Sequence, residues 1–164
     1  MNEFEQSHQF EINEKTMAVV AEQGLEGTVY SRVLEVENEF VLPLKPVKVI
    51  DKSCRYFGSS LKGRQEGTKA ITGITYKPPI AIDPTSDIYM FPTNSPRSQQ
   101  CTWVAHSYIS HYKPSAQGNT IVTFANGQSI TLKISFRSFE NQLNRTAQFR
   151  YLLSKRLQPK RVFN

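Results

Sequence analysis

The sequence predicts an α+β fold: a mostly antiparallel β-sheet with a short central helix and a packed C-terminal amphipathic helix. Three observations predict it. Segments rich in β-branched and aromatic residues recur along the chain, punctuated by glycine and proline. Residues 121–124 and 129–134 flank Asn126-Gly127, the preferred two-residue turn of a β-hairpin. From residue 138 to 157 apolar side chains return at helical spacing. A lone sheet with one wet face needs a cover, and that stripe supplies it. With 164 residues, the chain is long enough for one domain with its own core.

The elements follow in order. Residues 10–21 and 28–42 lean to strand, with Val29, Tyr30, Val33, Val36, Phe40 and Val41 among polar residues and Gly24 and Gly27 between the segments. Pro43 and Pro46 bracket a stretch fit only for an edge strand or a loop. Asp51 or Ser53 caps a short helix near 53–66, which puts Cys54, Phe57 and Leu61 on one face; Gly58 and Gly63 weaken it. Residues 69–76 and 80–91 read as strands around Pro78-Pro79, and 93–100 as a polar loop. Residues 101–112 read as one long strand. In the hairpin, Ile130, Leu132 and Ile134 alternate with polar residues, so one face is buried. Ser138 opens the last helix, whose stripe is Phe139, Leu143, Thr146, Ala147, Leu153 and Leu157; Pro159 stops it. The chain thus divides into an acidic segment 1–16, a domain 17–157 and a basic tail 158–164.

Charge is distributed unevenly. Twenty Lys and Arg against fourteen Asp and Glu give +6. Residues 1–44 carry nine acids against Lys15 and Arg32, whereas residues 45–164 carry eighteen bases against five acids. A basic body behind an acidic segment points to a polyanion, most commonly nucleic acid; the bland alternative is a solvated surface. The acidic segment is either a partner-contacting surface or a strap folded back on the basic body. No apolar run approaches the roughly 20 residues that span a bilayer, so no membrane partner is expected. The acidic N-terminus has no apolar segment like that of a signal peptide. Cys54 and Cys101 form no close-spaced motif, which favours a reducing, cytoplasmic setting.

Enzyme and metal motifs are weak. Ser59-Ser60-Leu61-Lys62 contains S-x-x-K, but the companion S-D-N and K-T-G motifs are missing. Residues 58–64 read G-x-x-x-x-G-R and lack the Lys-Ser/Thr of a phosphate-binding loop, although their glycines permit close approach to a phosphate. His106 and His111, five apart on a strand, point to opposite faces and make a poor metal pair. Cys54 beside Arg55 reads better as a buried thiol than as a nucleophile. Neither catalysis nor a cofactor or metal is expected.

Longer blocks are more specific. The run Asp51-Lys52-Ser53-Cys54-Arg55-Tyr56-Phe57-Gly58-Ser59-Ser60, followed by Gly63-Arg64 and Gly67-Thr68, resembles the central signature of the ComK competence transcription factors. Tyr76-Lys77-Pro78-Pro79-Ile80, Asp83-Pro84, Phe91-Pro92-Thr93, Ser138-Phe139-Glu140-Asn141-Gln142 and Arg145-Thr146-Ala147 resemble later blocks of that family in the same order. The resemblance runs from about residue 17 to residue 161. It implies a cytoplasmic, nucleoid-associated bacterial transcription activator that binds A/T-rich boxes in double-stranded DNA. It further implies minor-groove contact by a homodimer or higher oligomer, without a helix-turn-helix. RNA polymerase is the partner an activator implies. Longer relatives continue into a tail read by proteolytic adaptors, whereas this sequence ends at Asn164.

The DNA-binding residues expected on these grounds form two groups. Lys52, Arg55, Ser59, Ser60, Lys62, Arg64 and Lys69 crowd the Gly/Ser-rich segment, with Lys77 in the next block. Lysines and serine hydroxyls suit phosphate oxygens, and an arginine suits a narrow A-tract minor groove. Arg145 and Arg156 on the flank of the last helix, with Lys160 and Arg161 in the tail, form the second group. A non-specific nucleic-acid or RNA-binding module is the alternative, and a small enzyme using Cys54 or Ser59 a third reading.

Overall fold

The computed structural model describes residues 9–158. Nine strands form two antiparallel sheets. The larger has six strands in the order β3-β2-β1-β6-β5-β4: β1 (Thr16–Gln23), β2 (Val29–Glu35), β3 (Glu39–Leu42), β4 (Ile80–Asp83), β5 (Ile88–Pro92) and β6 (Trp103–Ala105). Two meanders, β1-β2-β3 and β4-β5-β6, are thus zipped together where Ala18 pairs with Val104 and Val19 with Trp103. The smaller sheet is β7 (Ile109–Pro114), β8 (Thr120–Phe124) and β9 (Ser129–Leu132). Three helices complete the fold: α1 (Pro46–Tyr56), α2 (Leu61–Thr72) and α3 (Phe136–Leu157).

The α+β class holds. Strand alternation gives the large sheet two buried faces. Val19, Val33, Met90 and Trp103 face one core with Val49, Ile50 and Cys54 of α1 and Leu61 of α2. Ala18, Leu34, Phe91 and Val104 face a second core closed by Val122, Phe124 and Leu132 of the small sheet and Phe139 of α3. At the β4–β5 edge, α2 and α3 meet over Ala81, Tyr89 and Phe149.

Several expectations from sequence are corrected. The single short helix near 53–66 is two longer helices. Of the edge strand or loop expected between Pro43 and Pro46, the loop is found, and it leads into a helix: Pro46 sits in the first turn of α1, where its missing N–H costs nothing. Gly58, at φ 85°, breaks α1 from α2. Asp51 caps the second helix, not the first: its Oδ1 accepts from the Leu61 amide at 2.9 Å. Ser60 is the N-cap of α2 and accepts from the Gly63 amide at 3.0 Å. A side chain at 63 would bring its Cβ within 2.9 Å of Ser59 Oγ, so glycine suits this cap.

Residues 69–76 are not a strand, because α2 continues to Thr72 and ends on left-handed Gly73. The strand expected over 80–91 is interrupted by a turn, and that over 101–112 by a 3-10 turn at His106–Tyr108 that hands the chain from one sheet to the other. His106 is therefore on a turn rather than a strand. The hairpin loop has three residues, Ala125, Asn126 and Gly127, closed by the Phe124 amide donating to Gln128 O at 2.8 Å. α3 opens at Ser135, which accepts from the Ser138 amide, rather than at Ser138. Its buried stripe is Phe139, Gln142, Thr146 and Phe149, while Ala147 and Leu157 are exposed. Residues 16–42 of the acidic region supply three strands of the large sheet, within which Glu22 and Glu39 clasp Arg32 at 2.8 and 2.7 Å.

Candidate nucleic-acid interface

The phase of α2 sorts its side chains. Leu61, Arg64, Thr68 and Ile71 recur at three- and four-residue spacing on the inward side: Leu61 joins the first core, Thr68 is buried and Ile71 packs beside Tyr89 and Phe149. Arg64 belongs to this side, and its Nε is buried with no hydrogen-bond partner among the described residues. Lys62, Gln65, Glu66 and Lys69 occupy the outward side and line a cleft of about 410 Å³. The facing wall runs from Ile74 to Pro78 and includes Tyr76 and Lys77.

That wall is braced from α3. The Gln142 amide, fully buried, donates to Lys77 O at 3.0 Å and to Pro92 O at 2.8 Å. Arg145 donates to Gln142 Oε1 and to Tyr76 O, each at 2.6 Å. Burial holds the Arg145 guanidinium below the usual arginine range. Lys77 is held in a left-handed conformation at φ 48°, and its Nζ donates to Thr93 O at 3.3 Å. Burial, and then the charge of Arg145, lower its pKa, which eases release of its proton relative to a free lysine.

A second cleft of about 540 Å³ adjoins the first and shares Gln65, Ser95 and Pro96 with it. It is lined by Lys45 and Lys48 at the start of α1 and by Arg97 in the β5–β6 loop. Among the described residues, the bases across both clefts are Lys45, Lys48, Lys62, Lys69, Lys77 and Arg97, and the one acid is Glu66. Such an imbalance in two grooves concentrates positive potential at the surface.

The sequence-predicted residues are distributed as follows. Lys62, Lys69 and Lys77 line the clefts. Lys52 and Arg55 share the outer stripe of α1 with Lys48, next to the clefts without lining them. Arg55 lies 2.9 Å from Asp51 Oδ2. Partial burial opposes the Asp51 charge, but the Leu61 amide and Arg55 together keep its carboxyl below the usual value. Ser59 and Ser60 form the α1–α2 junction, with Ser60 used as a cap. Arg64 faces inward, Arg145 is a brace, and Arg156 is exposed in the last turn of α3, lining neither cleft. Lys160 and Arg161 lie outside the described residues. Cys54 is fully buried, and burial pushes its thiol up to about 12, the opposite of an activated nucleophile.

Sequence reasoning missed Lys45, Lys48 and Arg97. Lys45 and Lys48 flank Pro46, whose presence hid a helix start; Arg97 sat in a loop that only the fold brings beside α1 and α2.

A family profile described as "ComK protein" matches residues 7–158, which takes in every described element. The chain belongs to the ComK family. A protein named "Competence transcription factor" from Bacillus subtilis (strain 168) is 43% identical over 141 residues, covering 86% of this chain and 73% of the relative. No solved structure matches significantly. The ComK match contains both clefts and the α3 brace, so the basic surface lies within the family's common domain.

Proposed function

We propose that this ComK-family protein is a sequence-specific transcription activator that binds A/T-rich boxes in double-stranded DNA through the minor groove. One observation carries the reading: two adjoining clefts lined, among the described residues, by six bases and a single acid. Exposed lysines there suit phosphates, whose neutralisation supplies most of the affinity for a duplex. The name of the Bacillus subtilis relative supports transcription control. The longest helix, α3, is committed to packing through Phe139 and Phe149, while α1 and α2, joined by the four-residue turn 57–60, present Lys62 and Lys69 on the outward side of α2. The minor-groove assignment itself rests on the resemblance to the ComK family.

The protein acts in the cytoplasm on the nucleoid, as a homodimer or higher oligomer on paired boxes, and contacts RNA polymerase. Among the described residues no helix is long and apolar enough to cross a membrane. No catalytic step and no cofactor enter this reading.

The test is a gel shift with A/T-rich, G·C-substituted and I·C-substituted duplexes. Inosine changes the major-groove pattern but places no 2-amino group in the minor groove. I·C boxes are expected to retain most of the affinity, whereas each G·C pair costs roughly 1–3 kcal/mol. Equal binding to all duplexes would instead identify a non-specific nucleic-acid binder. Failure of I·C and G·C boxes alike would rule out minor-groove reading.

A further inference from the structure

The two basic clefts adjoin, and the β5–β6 loop, with Gln65 of α2, forms the ridge they share. Ser95 and Pro96 line both clefts, and Arg97 lines the second. These residues form the tip of the loop from β5 to β6. The Ser98 amide donates to Ser95 O at 2.8 Å, which makes Pro96 and Arg97 the two central residues of a β-turn.

The base of the loop is rigid. The Thr102 amide donates to Thr93 Oγ1 at 3.1 Å, and that hydroxyl donates to Asn94 Oδ1 at 2.8 Å. The Cys101 thiol, pushed up to about 11 by burial, remains a donor and reaches Asn94 O at 3.3 Å. The Thr93 carbonyl also accepts from Lys77 Nζ, tying the ridge to the opposite wall of the first cleft. Proline at the first central position further restricts the turn. The side chain at the apex is nonetheless free: Arg97 is exposed and makes no hydrogen bond or ion pair with the described residues.

Residue type distinguishes the apex from its surroundings. Among the described residues, the other basic residues of the two clefts are all lysines, and Arg97 is the sole arginine. An ammonium is a compact, strongly hydrated point charge suited to phosphates. A guanidinium is planar and more weakly hydrated, and it is the group favoured in a narrow minor groove of enhanced negative potential. A two-residue turn is also slim enough for a groove about 6 Å wide, one that excludes a helix.

Building on the DNA-binding reading above, we propose that the Pro96-Arg97 turn enters the minor groove. Arg97 is its base-reading residue, and the two flanking sugar-phosphate strands run in the lysine-lined clefts on either side. Specificity and affinity then reside on different residues: Arg97 discriminates, and the lysines grip.

The experiment compares wild type, Arg97→Lys, Arg97→Ala and the Lys62→Ala/Lys69→Ala double variant. Dissociation constants are measured for an A/T-rich duplex and its G·C-substituted counterpart at several salt concentrations. Melting temperature serves as the fold control, since the bonds that shape the turn do not involve the Arg97 side chain. Arg97→Lys is expected to bind the G·C duplex within about threefold of wild type while losing at least about tenfold of the A/T preference. Arg97→Ala loses the same preference. The lysine double variant weakens on both duplexes and keeps its preference. If Arg97→Lys and Arg97→Ala both retain the wild-type preference, the ridge is not the reader, although the DNA-binding reading survives. If wild type shows no preference between the duplexes, the sequence-specific reading fails and the ridge assignment fails with it.

Discussion

The outer face of α2 and the body of α3 are both basic, yet they use their charge in opposite ways. Lys62 and Lys69 on α2 project into an open cleft and have no partner among the described residues. Arg145 and Arg150 on α3 are half-buried and fully engaged. Arg145 holds Gln142 and the Tyr76 carbonyl. Arg150 bonds Asp87 and His106 Nδ1, with its guanidinium 5.3 Å from the Tyr89 ring centroid. A positive charge with internal acceptors is part of the scaffold, whereas one without them is available to an external anion. Arg145 thus braces the wall of the cleft that the α2 lysines line, and Arg150 ties α3 to the β4–β5 turn and to His106.

This contrast predicts that the two sets of residues fail differently when removed. The largest stability effect belongs to the brace. Gln142→Ala leaves two carbonyls unpaired, at Lys77 and Pro92, and is expected to cost about 3 kcal/mol. Arg145→Ala is expected to cost about 2 kcal/mol. For a domain of this size these losses lower the melting temperature by roughly 4–12 °C, readable by calorimetry. Lys62→Ala and Lys69→Ala should each stay within about 0.5 kcal/mol of wild type, because neither side chain has an internal partner. A brace variant that melts like wild type would remove the distinction between the two regions.

A smaller effect sharpens the same contrast through pH. Arg150 donates to His106 Nδ1, so the ring carries its proton on Nε2 and donates to Leu143 O at 3.2 Å. Burial, then the charge of Arg150, lower the His106 pKa below its ordinary 6.5, with only Asp87 and the Leu143 carbonyl opposing. The unfolded chain therefore binds the proton first. Stability is complete above about pH 6.5 and is lost as pH falls toward the folded-state pKa. Melting curves between pH 7.5 and about 5 should decline, and His106→Gln should flatten part of that decline. An unchanged slope in the variant would show that His106 is not a titrating link between α3 and the β6–β7 corner.

The smallest effect is expected at Arg55. Its ion pair with Asp51 is largely exposed, with the arginine side chain 66% accessible, so Arg55→Ala should cost under about 0.5 kcal/mol. Asp51→Ala should cost more, because it also removes the cap on the Leu61 amide.

The parts of the fold legible in the sequence are those where local pattern and burial agree. Leu132 and Ile134 alternate with exposed neighbours as expected, and Phe139 and Thr146 do lie on the buried side of α3. Errors arose where propensity and tertiary context diverge. Residues 69–76 contain Ile71, Thr72, Ile74 and Thr75, which favour a strand, yet Ile71 serves as a helix contact and Gly73 as the helix stop. Residues 101–112 contain neither glycine nor proline, so nothing local announces the 3-10 turn that transfers the chain between sheets.

The basic segment 52–69 was legible as a cluster, but its division was not. Separating outward Lys62 and Lys69 from inward Arg64 requires the phase of α2, which a single short helix near 53–66 does not give. Lys45, Lys48 and Arg97 join the surface only through tertiary packing. Arg97 lies more than 30 residues along the chain from Gln65, with which it shares the second cleft.

The salt dependence of duplex binding tests the central claim, that the cleft lysines grip DNA while the α3 arginines support the scaffold. The slope of log affinity against log salt is measured for wild type and for Lys45→Ala/Lys48→Ala/Lys62→Ala/Lys69→Ala, whose four lysines all line the clefts. Each phosphate contact contributes about 0.9 to that slope, so the variant should bind more weakly on every duplex with a slope shallower by up to about 3.6. Its melting temperature should stay near that of wild type. An unchanged slope and affinity in a folded variant would contradict the account and move the DNA surface elsewhere on the protein.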